Sequence, residues 1–100
     1  MHRKEKAMEM RELERDDMVV GALMAMYARQ TADEQSLQAT SHLNDIGFNA
    51  IDAPILSDIA QFYERRGRLS EKQIALVRRL LKKYHRQLAQ VDVRPMPLAA

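Results

Sequence analysis

The sequence predicts an all-α fold: a compact four-helix domain with short turns, a charged N-terminal arm and a short extended C-terminal tail. Three observations predict it. Apolar residues recur at spacings of three and four along most of the chain. Helix-start signals stand at Thr31–Glu34, at Asp52–Pro54 and at Ser70–Gln73. No segment alternates apolar and polar with β-branched enrichment, and no Asn-Gly or Asp-Gly hairpin turn occurs. One hundred residues, 46% of them hydrophobic, suffice for one modest core. The expected division is residues 1–15 as the arm, helical or frayed, 16–90 as the helical domain and 91–100 as a flexible tail.

In the arm, Lys6/Glu9 and Glu12/Arg15 are paired at i,i+3 on a mostly charged stretch. From Asp16 or Asp17 the pattern changes. Leu13, Val20, Leu23/Met24 and Tyr27 fall at helical spacing, and the first helix is expected to run to about Gln30. Gly21 inside it costs roughly 1 kcal/mol relative to Ala, which close helix packing would explain. Met18, Met24 and Met26 read as flexible core fillers. Thr31 and Glu34 form a capping box for a short second helix through Leu37, Ala39, Thr40 and Leu43 to about Asn44. A turn follows at Ile46-Gly47-Phe48-Asn49. Asp52 caps a third helix with Pro54 in its first turn. Its buried face is Leu56, Ile59, Ala60 and Tyr63, and Gly67 ends it. Ser70 and Gln73 form a second box, stapled by Leu69 and Ile74, and a fourth helix carries Ile74, Val77, Leu81, Tyr84 and Leu88 through to about Gln90.

Several function classes are disfavoured. The longest uncharged apolar run, Met18 to Ala28, is 11 residues, about half a membrane span. The acids before it do not suit a signal peptide, and zero cysteines remove disulfides, thiolate metal sites and a Cys nucleophile. A cytoplasmic protein is expected, without membrane association. His2, His42 and His85 lie on different elements, and no His-x-x-x-His pair, Gly-rich phosphate loop or nucleophile elbow is present. The expectation is a non-enzyme with no cofactor and no metal.

Charge is strongly polarised. Residues 1–50 carry −3 and residues 51–100 carry +5, giving the net +2. Residues 65–86 hold nine bases (Arg65, Arg66, Arg68, Lys72, Arg78, Arg79, Lys82, Lys83, Arg86) against the single acid Glu71. On a helical wheel, Lys72, Arg78, Arg79, Lys82, Lys83 and Arg86 form one stripe opposite the apolar arc. Such a stripe is either a solvated face paired with the acidic arm, or a contact for phosphates or an acidic protein surface. Only Tyr84, on the core side, is aromatic there, so base stacking is disfavoured. No helix-turn-helix spacing marks a major-groove reader.

The string Arg29-Gln30-Thr31, Asp33-Glu34-Gln35, Thr40, Asn44-Asp45-Ile46-Gly47-Phe48-Asn49 and Asp52 resembles a small helical module of phage and mobile-element proteins. The likeness continues through Arg66-Gly67-Arg68-Leu69-Ser70-Glu71-Lys72-Gln73 and Lys83-Tyr84-His85-Arg86-Gln87-Leu88, covering roughly residues 27–90. With its length, the chain looks like a type I-F anti-CRISPR protein. That resemblance implies a phage-encoded inhibitor, expected to be monomeric, acting in the bacterial host cell. It would bind protein subunits of the RNA-guided surveillance complex and block target-DNA binding by steric occlusion. A net charge of +2 argues against whole-molecule DNA mimicry. A local acidic patch of Asp33, Glu34, Asp45 and Asp52 would instead capture DNA-gripping bases, with helix capping as the competing role of Glu34 and Asp52. Asn44, Phe48 and Asn49 complete that expected contact, Phe48 being equally a core residue. Arg66, Arg68, Lys72, Arg79, Lys82 and Arg86 form a second. The alternative is a nucleic-acid-binding accessory module that lays its basic C-terminal helix on the phosphate backbone.

Overall fold

The computed structural model describes residues 10–37 and 48–98, except for the side chains of residues 10 and 32–37. The described residues are helical without a strand. A short 3-10 turn, Met10–Glu14, leads into α1 (Asp16–Leu37). Then come α2 (Ala53–Arg66) and α3 (Glu71–Leu81), followed by a 3-10 turn, Lys82–Tyr84, and a single helical turn, α4 (His85–Leu88). Among the described residues three long helices thus stand where four were expected.

The difference begins at Thr31. Its hydroxyl donates to the carbonyls of Tyr27 and Ala28, each at 3.1 Å. It therefore serves the turn behind it instead of capping a new helix, a local alternative open to any Thr. The first helix runs on to Leu37, and the remainder of the expected second helix lies outside the described residues.

α1 is the central element. Every residue from Met18 to Leu23 is buried, so this stretch is enclosed on all sides rather than along one stripe. α2 contributes Leu56, Ile59, Ala60 and Tyr63, and α3 contributes Ile74, Val77 and Leu81, all buried as their spacing predicts. Met18 and Met26 belong to the same core, and so does Leu13 of the expected arm.

The last side of α1 is closed by the tail. Residues 92–98 are extended, as Pro95 and Pro97 dictate, yet they lie against the helix. The Met96 amide donates to the Asp17 carbonyl at 3.0 Å, and the Tyr63 hydroxyl donates to the Pro97 carbonyl. Val91, Val93 and Met96 pack on the core. A Cβ at Gly21 would sit 1.9 Å from the Arg94 carbonyl oxygen. Gly21 therefore admits this strap, whereas the expected partner was another helix.

Two helix boundaries match their sequence signals. Gly67 adopts φ 76° and its amide donates to the Tyr63 carbonyl, the left-handed stop that glycine takes without strain. Ser70 accepts from the Gln73 amide at 3.1 Å while the Gln73 side chain accepts from the Ser70 amide at 2.8 Å, a complete capping box.

Candidate functional site

α3 buries Ile74, Val77 and Leu81, which turns Lys72 and Arg79 outward; Lys82 and Arg86 are exposed beyond its end. Arg65 and Arg66 close α2, where positive charge suits the helix dipole. Arg68 follows in the connecting turn. Among the described residues no ion pair involves Lys72, Arg79, Lys82 or Arg86. Arg66 lies over the Phe62 ring, 5.7 Å from its centroid.

Two members of the predicted stripe are used inside the fold. Arg78 donates through Nε to the Leu13 carbonyl at 2.7 Å and through Nη2 to the Glu14 carbonyl at 3.3 Å. It also pairs with Asp16. These bonds satisfy carbonyls at the end of the first 3-10 turn, where the helical ladder offers them no donor. Lys83 places Nζ 2.7 Å from Asp52 Oδ2. A continuous helix would have kept Lys83 on the stripe, but the 3-10 winding of residues 82–84 advances about 120° per residue and breaks the register.

That break joins α3 to the turn before α2. The Tyr84 hydroxyl donates to Asp52 Oδ2 at 2.6 Å and accepts from the Asn49 amide at 3.0 Å. Its ring meets Phe48 edge-to-face, 5.9 Å between centroids. Asp52 is not the expected cap: its backbone is already helical and its carboxylate makes no capping bond. The Asp52 amide instead donates to Asn49 Oδ1 at 2.8 Å. Burial pushes the Asp52 carboxyl up, but bonds from Lys83 and Tyr84 together with the Lys83 charge outweigh it and hold the carboxyl below its ordinary value. Burial, reinforced by Asp52, drives the Tyr84 phenol well above its ordinary range.

Of the predicted acidic contact, only Phe48, Asn49 and Asp52 have described side chains. Asp52 is 4% exposed and Phe48 1% exposed, both facing inward. Asp33 and Glu34 lie on α1, with side chains outside the description, and Asn44 and Asp45 fall outside the described residues. Of the three members whose side chains are described, Asn49 is exposed. Sequence reasoning missed Gln30, whose buried Oε1 accepts from the Phe48 amide at 2.8 Å and whose Nε2 donates to Ser57 at 3.4 Å. A polar residue in the apolar phase of Leu23 and Met26 was the available signal.

The described residues hold no group of three His, Cys, Asp or Glu able to bind a metal, and no helix long and apolar enough to cross a membrane. Comparison with protein families, with curated proteins and with solved structures finds no match.

Proposed function

We propose that the protein binds nucleic acid through the phosphate backbone, using Lys72, Arg79, Lys82 and Arg86 with Arg65 and Arg68 beside them. One observation carries this reading. The fold consumes Arg78 and Lys83 internally but leaves these bases exposed with no acidic partner among the described residues. Exposed bases without acidic partners attract polyanions, whose counterions are released on binding. The only aromatic of this segment, Tyr84, is buried, so contact runs to phosphates rather than to stacked bases. Gel shifts at several salt concentrations test it. Four phosphate contacts on duplex DNA give a slope of log K against log salt of about −3.6. Retention that is absent at low salt, or insensitive to salt, refutes the reading.

A second reading, the anti-CRISPR inhibitor, has one observation in its favour. Ile51 is 85% exposed and Ile55 42% exposed, an apolar pair beside Asn49 of the kind that anchors protein contacts. In this reading the turn before α2 docks on a protein subunit of the type I-F surveillance complex and occludes its DNA path. Co-purification with that complex and loss of target-DNA capture test it. Unimpaired capture at saturating protein rules it out.

A further inference from the structure

Between the turn at Asn49 and the helical break lies a hollow of about 430 Å³, lined by Asn49, Lys83, Tyr84, His85, Arg86 and Gln87. We propose that this hollow seats one phosphate group, and so deepens the nucleic-acid reading on which it rests: the strand is anchored here while the remaining bases of α3 track its backbone.

The floor is electrically settled. The Asp52 carboxylate, which touches two of the lining residues, is neutralised by Lys83 at 2.7 Å and bound by the Tyr84 hydroxyl at 2.6 Å. Its charge does not oppose an incoming anion at full strength. The rim then adds the exposed Arg86 guanidinium, the His85 imidazole and the Asn49 carboxamide. Asn49 is held from three sides. Its amide donates to Tyr84, its carbonyl accepts from the Ala53 amide at 2.9 Å, and its Oδ1 accepts from the Asp52 amide. With Oδ1 occupied, the side-chain NH₂ is left as a fixed donor without a partner among the described residues. A guanidinium, an imidazole and a preorganised amide around one concavity form a donor set suited to phosphate oxygens, which accept several bonds at once. Preorganisation matters because no rotamer freedom of Asn49 is lost on binding. None of the residues lining the hollow is acidic, so the same hollow discriminates against cations.

The test uses the full chain, ¹⁵N-labelled, with three probes: inorganic phosphate, an unphosphorylated oligonucleotide, and the same oligonucleotide bearing a 5′-phosphate. All three are expected to move the Asn49 side-chain amide and Arg86 Nε resonances saturably. A response to the 5′-phosphorylated strand alone would assign the hollow to a chain end, and a response to both strands to an internal diester. Asn49→Asp keeps an acceptor for the Asp52 amide but replaces the donor by a charge. It is expected to lower phosphate affinity about tenfold, with an unchanged circular-dichroism spectrum. His85→Ala, which touches no hydrogen bond of the turn, is expected to weaken phosphate in the same direction. Resonances that stay still under phosphate, or Asn49→Asp binding phosphate as the parent does, overturn the proposal. If the parent and Asn49→Asp bind DNA alike, the hollow is wrong and the basic face stands. If phosphate binds but neither strand does, the hollow stands and the nucleic-acid reading falls.

Discussion

At Tyr84 one hydroxyl serves two partners, donating to Asp52 and accepting from the Asn49 amide. Tyr84→Phe keeps the ring against Phe48 but strands that amide and removes a bond from a buried carboxylate. Leaving such groups unsatisfied costs about 1–3 kcal/mol, to be read from the urea midpoint. Tyr63→Phe, which frees only the Pro97 carbonyl near the surface, should cost less, about 1 kcal/mol. An equal loss in both variants would mean that the Asp52 cluster contributes nothing special. Asp52 also sets a pH dependence. Its carboxyl is held below the ordinary value in the folded state. Its stabilisation is therefore complete above the unfolded pKa, about 4, and is lost as pH falls through the folded value. Asp52→Asn should lower stability at neutral pH and flatten the decline below about pH 4. Parallel acid profiles for the two proteins would contradict this account.

Among the elements, the strap makes the sharpest prediction because Gly21 faces it. In the full chain Gly21→Ala forces the Arg94 carbonyl aside and should destabilise by about 1–3 kcal/mol. In a chain ending at Gln90 the same change meets no strap, and helix propensity alone should stabilise by about 1 kcal/mol. Thermal midpoints of the four proteins decide it, and a change of the same sign in both backgrounds disproves the packing role. The elements also show what sequence can and cannot tell. α2 and α3 were legible because their determinants are local: Gly67 at a left-handed stop, Ser70 and Gln73 bonded to each other, apolar residues in phase. Thr31-x-x-Glu34 misled because a Thr hydroxyl bonds equally well to the turn behind it, and nothing in four residues decides between the two. The break at residues 82–84 was illegible for another reason. It joins Tyr84 and Lys83 to Asp52, some thirty residues away, and the wheel that predicted one basic stripe assumes the very continuity this contact removes. Of the candidate site, the outward bases of α3 were readable from periodicity, whereas the Asn49 hollow was not.

For the molecule as a whole, the net charge of +2 conceals an uneven distribution. Polyanion binding depends on the unopposed bases rather than on that sum. Reversing Lys82 and Arg86 together to Glu should abolish nucleic-acid retention while moving stability by no more than about 0.5 kcal/mol per site, since both are exposed and neither has an acidic partner among the described residues. Undiminished retention, measured by gel shift at low salt, would take the binding face elsewhere. The strap carries a consequence in time as well as in space. α2 and α3 each pack on α1, but the Asp17–Met96 bond joins opposite ends of the described chain. Contacts of such separation carry the largest loop-closure cost and form late. Closure of the strap is therefore expected late in folding and its release early in unfolding. With the strap lifted, Val19 to Leu23 are expected to be wetted on one side. How often the strap lifts is read by amide hydrogen exchange at Met96, whose N–H is held by the Asp17 carbonyl; exchange there as slow as at the buried amides of α3 would contradict early release.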